Sequence, residues 1–283
     1  MTGACWINGS LYTAAASTPA LAADRGLLLG DGLFETVLVR RGVPVHWEAH
    51  RERLLRSARA LAIALPEAFA PTLDSAVSQL IAALPHLAIG ALRVTLTRGP
   101  GLRGLLPPEE VAPTLLLRLD PYDPAAAALQ TAVVIDAPRL DPLDPLAGHK
   151  TTSALRWIVA RQRARRAGGD VALLPTIEGD IAEADCANLF AVVDGAVVTP
   201  PLSRGVLPGI TRAFALAQLA RDGRPAVERA IDRRDLARAS EVFLTSSLIG
   251  MQALAAVDGR SLPEASPTAP ALAAAYAALG TGP

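Results

Sequence analysis

The only lysine of this chain lies in the stretch Gly148-His149-Lys150-Thr151-Thr152, although 27 of the 283 residues are basic. Arginine can replace lysine wherever a surface cation is enough, but a guanidinium stays charged and cannot form an imine. A single retained lysine therefore indicates a chemical role for its primary amine. The alternative is chance, because a genome biased towards arginine and alanine codons would also leave few lysines. The lysine count alone does not decide between the two.

The bulk composition is that of an ordinary globular protein. Hydrophobic residues make up 51% of the chain and charged residues 19%, and Lys+Arg equals Asp+Glu at 27 each. This balance, without long blocks of like charge, gives no reason to expect a nucleic-acid groove or an anionic membrane surface. We therefore expect a small-molecule substrate, and neither a nucleic acid nor a membrane as partner.

The N-terminal residues and the cysteines predict a cytoplasmic protein. The start of the chain shows neither the basic segment nor the apolar run of a signal peptide. Longer apolar stretches are broken by Asp, Arg, Pro or Gly before they reach the thickness of a bilayer. Cys5 and Cys186 are far apart and lack CxxC spacing, so we expect neither a metal site nor a disulfide.

Turn signals and hydrophobic spacing predict two domains. The turns Asn8-Gly9 and Arg41-Gly42 indicate hairpins, and helical spacing over 47–63 and 72–84 alternates with strands over 90–98 and 114–120. These elements predict a small N-terminal α+β domain at 1–118. The Pro-rich segment that follows Arg118 predicts an interdomain linker at 119–130.

A larger, β-rich C-terminal domain is predicted at 131–283. Its predicted strands are 131–135, 171–174, 185–193, 196–199 and 241–246, and its predicted helices are 152–167, 210–221 and 270–279. In the first of these helices, the spacing places Leu155, Ile158, Val159 and Gln162 on the face expected to meet the core.

Five segments occur in an order that resembles the class IV, or D-amino-acid type, family of pyridoxal-phosphate aminotransferases. They are the run from Asp24-Arg25-Gly26 to Gly30-Asp31-Gly32-Leu33-Phe34-Glu35-Thr36, the pentad His50-Arg51-Glu52-Arg53-Leu54, the lysine stretch, the segment 181–190, and Leu207-Pro208-Gly209-Ile210-Thr211-Arg212. Each is a weak signal alone, but the ordered set spans nearly the whole chain. The resemblance implies the two-domain fold type IV, pyridoxal 5'-phosphate as a cofactor bound by the C-terminal domain 131–283, and a homodimer. It also favours a functional lysine.

The resemblance also implies roles for three charged residues. Lys150 would form the imine with the cofactor and then move the substrate proton. Glu183 would keep the pyridine nitrogen protonated, and Arg53 would bind the phosphate. Two alternatives stay open: Glu183 as a surface carboxylate on an edge strand, and Arg53 as one of several arginines on a solvated helix face. Only the His-x-x-Arg-Leu pattern distinguishes Arg53 from Arg51 and Arg56.

Further phosphate contacts are implied at the start of one helix and the end of one strand. They are Gly209, Ile210, Thr211, Ser246 and Ser247, and a helix N-terminus is a natural phosphate cradle. The sequence departs from the family at Asp185-Cys186-Ala187, where Ser or Thr is frequent. We expect that hydroxyl to be absent or replaced by a backbone N–H.

The segment Thr97-Arg98-Gly99-Pro100-Gly101-Leu102-Arg103-Gly104 resembles a stretch of 4-amino-4-deoxychorismate lyases. We therefore expect a lyase that gives 4-aminobenzoate and pyruvate, with Phe34, Arg98 and Arg103 at the substrate and Thr36 helping to protonate the leaving group. The alternative is a D-amino-acid (or branched-chain) transaminase, since Arg98 also resembles the substrate-carboxylate residue of that subfamily. A family member that has lost its chemistry is a third hypothesis, which the presence of Lys150 disfavours.

Overall fold

The computed structural model describes residues 4–12, 23–101, 104–107, 109, 112–124, 131–263 and 267–279. Within these ranges the chain forms two compact units. The first comprises the residues up to Asp123 together with His149–Ala154, and the second comprises Pro124–Gly148 and Leu155–Leu279. No helix of the described ranges is long and apolar enough to cross a membrane.

The described residues of the first unit form one antiparallel sheet and three helices. Its elements are β1 (Ala4–Ile7), β2 (Ser10–Tyr12), α1 (Arg25–Leu29), β3 (Gly32–Arg40), β4 (Val43–Pro44), α2 (Trp47–Ala60), α3 (Phe69–Ala82), β5 (Ile89–Thr97) and β6 (Thr114–Pro121). The sheet order is β2-β1-β6-β5-β3-β4. Both predicted hairpin turns are present, and their two central residues all have positive φ, as tight hairpins require.

The two faces of β3 have different environments. Glu35 and Val37 are buried, whereas Phe34 and Thr36 on the alternate face are half-buried. The buried face packs on α2, and side chains such as Leu73 of α3 and Leu92 of β5 complete the apolar core of this unit. The period-two pattern of β3 therefore separates a core face from a face that can be reached by small molecules.

The second unit is built on a larger mixed sheet. Its elements are β7 (Thr131–Val134), α4 (Leu155–Arg166), β8 (Val171–Pro175), β9 (Ile181–Ala184), β10 (Ala187–Val193), β11 (Ala196–Thr199), α5 (Ile210–Arg221), β12 (Val227–Glu228), α6 (Arg233–Arg238), β13 (Glu241–Ser246), β14 (Gly250–Ala253), β15 (Ala256–Val257), β16 (Arg260–Ser261) and α7 (Thr268–Ala277). The main strand order is β12-β11-β10-β9-β8-β7-β15-β16, and β13 pairs with β10 and β14. The β-rich character predicted for this region is confirmed.

Three features differ from the sequence predictions. Strand β6 continues to Pro121 and pairs there with Gly90, so the ladder covers the first residues of the predicted linker at 119–130; residues 125–130 lie outside the described ranges. The predicted strand 185–193 begins two residues later, as β10, because Asp185 and Cys186 form the turn that joins it to β9. The segment 149–154, predicted in the C-terminal domain, belongs to the first unit.

The core face predicted for α4 was wrong. Leu155, Ile158 and Val159 are 75%, 48% and 40% exposed, whereas Ala160 and Ala164 are fully buried. The helix packs on β8 through these alanines, because small side chains let a helix axis approach a sheet closely. Helical spacing identified an apolar stripe, but the packing distance selected the smaller residues beside it.

Candidate active site

The lysine segment is attached to β3 by its backbone. Phe34 N–H donates to Lys150 O at 2.8 Å, and Thr152 N–H donates to Gly32 O at 2.9 Å. The Thr152 hydroxyl also donates to Gly30 O at 2.8 Å. These bonds lie beyond the short ladder with β4, so the segment extends the sheet where β3 has an open edge. The position of the lysine is therefore set by strand pairing.

The amine of Lys150 and the guanidinium of Arg93 both contact the aromatic ring of Phe34. Lys150 Nζ lies 4.4 Å from the centroid of the Phe34 ring, and Arg93 Cζ lies 3.7 Å from the same centroid. The two cationic groups are therefore no more than about 8 Å apart, each in cation–π contact. Burial lowers the pKa of Arg93. Thr36, the predicted proton donor, lies directly opposite Arg93 in the β3–β5 ladder.

Sequence analysis did not identify Arg93. Residues 90–98 show a strand, but only the register of β5 against β3 places Arg93 beside Phe34. In the sequence, Arg93 is a charged residue between two apolar ones, and this pattern is common on any half-exposed strand.

Arg53 is held by Glu35 in the interior of the first unit. Its Nε and Nη2 atoms donate to the two carboxylate oxygens of Glu35 at 2.8 and 2.6 Å. His50 Nδ1 lies 2.7 Å from the same carboxylate. By contrast, Arg51 pairs with Asp74 near the surface, and Arg56 is 60% exposed. Arg53, which the sequence pattern distinguished, is therefore buried and does not lie on a solvated helix face.

Arg98 is engaged with the protein itself. Its Nε donates to Asp31 at 2.9 Å, and Nη1 and Nη2 donate to the carbonyl oxygens of Ala62 and Leu61 at 2.6 and 3.0 Å. Burial raises the pKa of Asp31, but hydrogen bonds from Arg98 and Arg25 outweigh this and lower it overall. These bonds tie the segment after β5 to α2. Arg103 lies outside the described residues.

Glu183 is a buried carboxylate in the second unit. Its residue is 5% exposed, which removes the alternative of a surface carboxylate. Asn188, directly opposite in the β9–β10 ladder, donates from Nδ2 to Glu183 Oε2 at 3.0 Å and to Leu207 O at 2.9 Å. Leu207 N–H donates to the same oxygen at 3.1 Å. Sequence analysis placed Asn188 in the family segment but assigned it no role.

The N-terminus of α5 has the donors that a phosphate needs. Its first intrahelical bond runs from Ala213 N–H to Gly209 O, so the N–H groups of residues 210–212 precede the ladder. Gly209 provides no side-chain cap. The hydroxyl of Thr211 is buried and has no hydrogen-bond partner among the described residues. A bound phosphate would supply the acceptors for these groups, so this site fits the cofactor's phosphate.

The remaining phosphate-side candidates lie at the end of β13. Ser246 and Ser247 are half-buried, and Ser247 O accepts a hydrogen bond from the Tyr276 hydroxyl at 3.0 Å. The hydroxyl of the preceding Thr245 is buried without a partner among the described residues. Sequence analysis did not name Thr245 among the residues near the phosphate.

The family departure at Asp185 has a structural explanation. The carboxylate accepts Nε and Nη2 of Arg161, both at 2.6 Å, and the N–H of Ala172 at 3.1 Å. These hydrogen bonds hold the β9–β10 turn against α4 and β8. No side-chain hydroxyl is present at Asp185, Cys186 or Ala187.

Comparisons with known proteins agree on one family. Residues 32–257 match the sequence profile of amino-transferase class IV. The chain is 30% identical over 262 residues to the aminodeoxychorismate lyase of Vibrio harveyi, covering 92% of each. It is 31% identical over 263 residues to a bifunctional aminodeoxychorismate lyase/D-amino acid transaminase of Mycobacterium tuberculosis, covering 85% of this chain and 86% of that protein. The crystal structure of a branched-chain aminotransferase from Thermoproteus uzoniensis matches with a TM-score of 0.88 at 26% identity, covering 97% and 93%.

Proposed function

This chain belongs to the class IV aminotransferase family and is a pyridoxal-phosphate enzyme, and on that premise we propose that it is a 4-amino-4-deoxychorismate lyase, giving 4-aminobenzoate and pyruvate. Similarity to a lyase over nine-tenths of both chains supports this proposal. The observation that carries it is the pair of cations on Phe34, which offers a carboxylate-binding guanidinium beside the only lysine amine. The substrate carries two carboxylates, and Arg93 would receive one of them.

The cofactor, when bound, supplies an electron-poor ring that stabilises negative charge on the substrate carbon that loses its proton. We assign its attachment, and the removal of that proton, to Lys150 Nζ. Glu183, buried and held by Asn188, would keep a proton on the pyridine nitrogen. A carboxylate fixed by two N–H donors is suited to this role, because those donors favour its charged form.

We assign the phosphate to Arg53, as the family resemblance implies, and to a set of residues at the start of α5 and the end of β13. These are the N–H groups at Gly209, Ile210 and Thr211, the Thr211 hydroxyl, and the strand-end residues Ser246 and Ser247. The uncapped helix start and the hydroxyl of Thr211, which has no partner among the described residues, support the assignment.

At the substrate, we assign Phe34 and Arg93 to binding and Thr36 to protonation of the departing pyruvate. Loss of pyruvate makes the ring aromatic, which supplies the driving force. Arg98 already donates hydrogen bonds to Asp31, Ala62 and Leu61, so only its remaining N–H groups would bind a substrate. We therefore give it the lesser role of ordering the segment that leads to Arg103, the other predicted substrate residue.

A D-amino-acid transaminase is the second candidate, and the bifunctional relative favours it. Both reactions begin with the same proton removal, so a single site can support either. Branched-chain transamination is the variant of this candidate that the structural neighbour suggests.

We also propose that the protein acts as a homodimer in the cytoplasm. The exposed apolar residues support the dimer: Leu27 and Leu28 of α1 are 69% and 59% exposed, and Leu155 and Ile158 of α4 are 75% and 48% exposed. Exposed apolar groups of this kind mark protein–protein contact sites.

The test is to incubate the purified holoenzyme with 4-amino-4-deoxychorismate and to quantify 4-aminobenzoate and pyruvate by mass spectrometry. Equal amounts of both products, absent with Lys150→Ala, would support the lyase. If the yellow, cofactor-bound protein gives neither product but converts D-alanine and 2-oxoglutarate, the lyase proposal fails and the transaminase replaces it.

A further inference from the structure

The segment that carries the lysine is a short part of the first unit. His149–Ala154 belongs to that unit, whereas the chain before it, up to Gly148, and after it, from Leu155, belongs to the second. So short a segment cannot build a hydrophobic core of its own. Its placement therefore depends on the individual hydrogen bonds that it makes with the rest of the first unit.

Several of these hydrogen bonds lie on the C-terminal side of Lys150. Thr152 N–H donates to Gly32 O at 2.9 Å. The hydroxyls of Thr152 and Ser153 both donate to Gly30 O, at 2.8 and 3.2 Å. This end of the segment is therefore fixed to the start of β3 and to the residues just before it.

A side-chain hydrogen bond holds the segment on the N-terminal side of the lysine. His149 Nδ1 lies 2.9 Å from the hydroxyl oxygen of Ser57. Depending on the tautomer of the ring, the hydroxyl donates to Nδ1 or the ring N–H donates to the hydroxyl oxygen. Ser57 belongs to α2 and is 5% exposed, so the packing of that helix fixes its position. The residue directly before the lysine is thus joined to an element other than β3.

The direction of the lysine side chain follows from the strand register. Leu33 and Thr151 form an antiparallel bridge. The same register places Lys150 opposite Phe34, and the amine lies 4.4 Å from the centroid of that ring. Because side chains alternate between the two faces of a strand, His149 points to the other face, which packs on α2. A shift of one residue would exchange the two side chains between the faces.

We propose that His149, anchored on Ser57, is a positioning residue that keeps the side chain of Lys150 on the face of β3 that carries Phe34. This inference rests on the assignment of the cofactor's attachment to Lys150 under the proposed function. Hydrogen bonds between main-chain groups do not distinguish one side chain from the next, so they tolerate a slip of the segment. A ring nitrogen that meets a buried hydroxyl on α2 does distinguish them.

Amide hydrogen exchange of the full chain measures the anchor directly. Ser57→Ala removes the hydroxyl and leaves a good helix former on α2. We expect exchange of the Phe34 N–H, which donates to Lys150 O, to become about fivefold faster, as the loss of one neutral hydrogen bond predicts. His149→Leu should give the same increase. His149→Asn should restore slow exchange, because its amide keeps a donor and an acceptor near the position of Nδ1.

Covalent attachment of pyridoxal phosphate to the amine gives a second readout. Lys150 is the only lysine of the chain, so borohydride trapping and mass spectrometry of the peptide that contains it report on one side-chain amine. In Ser57→Ala and in His149→Leu we expect the rate of attachment to fall about fivefold. Combining the two substitutions should have no further effect, because both remove the same hydrogen bond.

Ser78→Ala is the matched control, because it removes an exposed hydroxyl that donates to Asp74 O on α3. It should change neither the exchange rate nor the attachment rate. Unchanged rates in Ser57→Ala, or effects of Ser57→Ala and His149→Leu that add in the double variant, would overturn the proposal. If the unsubstituted chain shows no attachment at Lys150, the proposed function fails, and the exchange rates still decide whether His149 anchors the segment.

Discussion

Gly209 cannot accept a side chain, and the reason lies in the contacts of Asn188. A Cβ atom at Gly209 would stand 1.9 Å from Asn188 Oδ1 and 3.1 Å from its Cγ. Asn188 is 5% exposed and has little room to retreat. In Gly209→Ala the amide must move, and its bonds to Glu183 and Leu207 O are lost or distorted.

The loss of those hydrogen bonds sets the expected decrease in the free energy of unfolding. A buried hydrogen bond to a charged group contributes roughly 1.5–3 kcal/mol and a neutral one about 1 kcal/mol, so Gly209→Ala should destabilise by about 2–4 kcal/mol. At about 2–4 °C per kcal/mol for a chain of this size, the melting temperature should fall by roughly 5–15 °C. Denaturant unfolding followed by circular dichroism measures the free energy, and absorbance of the bound cofactor reports on the surroundings of Glu183.

A double-mutant cycle tests the mechanism. Asn188→Ala removes both clashing atoms, after which the next neighbour of the new Cβ is Arg212 Cβ at 3.2 Å. In that background, Gly209→Ala should cost less than about 1 kcal/mol, giving a coupling energy of about 2 kcal/mol. If Gly209→Ala costs the same free energy in both backgrounds, the steric argument is refuted.

Three further predictions concern other parts of the chain. Because the folded pKa of His50 lies below its ordinary value of 6.5, the stability that neutral His50 contributes is lost as the pH falls below 6.5; His50→Gln should flatten the dependence of melting temperature on pH between 6.5 and about 5. Arg93→Met should raise KM for the dicarboxylic substrate about tenfold or more while kcat changes less, since the cation that would bind the carboxylate is removed and an unbranched side chain is kept; a lowered kcat at constant KM would contradict this role. Ile158→Arg on the exposed stripe of α4 should convert a dimer to a monomer in analytical ultracentrifugation without lowering the helix content, and an unchanged sedimentation coefficient would refute the dimer face.

Local signals predicted most elements of the fold. Helix α5 and strand β13 have the predicted bounds, 210–221 and 241–246, because Pro208-Gly209 and the strand's apolar run mark their limits in the sequence. The hairpin turns at Asn8-Gly9 and Arg41-Gly42 are equally local, since their residues adopt positive φ. The short α1 and α6 were missed, because one or two turns leave no measurable helical period.

Some residues of the candidate site were predicted from the sequence, and others were found only in the structure. The sequence predicted roles for Lys150, Glu183 and Arg53, because they stand in the order of segments that resembles the family and Lys150 is the only primary amine of a side chain. It could not show that Arg93 lies on the Phe34 ring or that Asn188 holds Glu183, since both depend on strand register between distant residues.

The sequence by itself thus determined the fold class and the cofactor chemistry and predicted Lys150 as the reactive amine, since each depends on residue type and on neighbours close along the chain. Tertiary structure alone decided which face of α4 is buried, where the lysine segment pairs, and which arginine stands beside the amine. Strand register and packing distance are properties of two segments at once. A pattern within either segment cannot specify them.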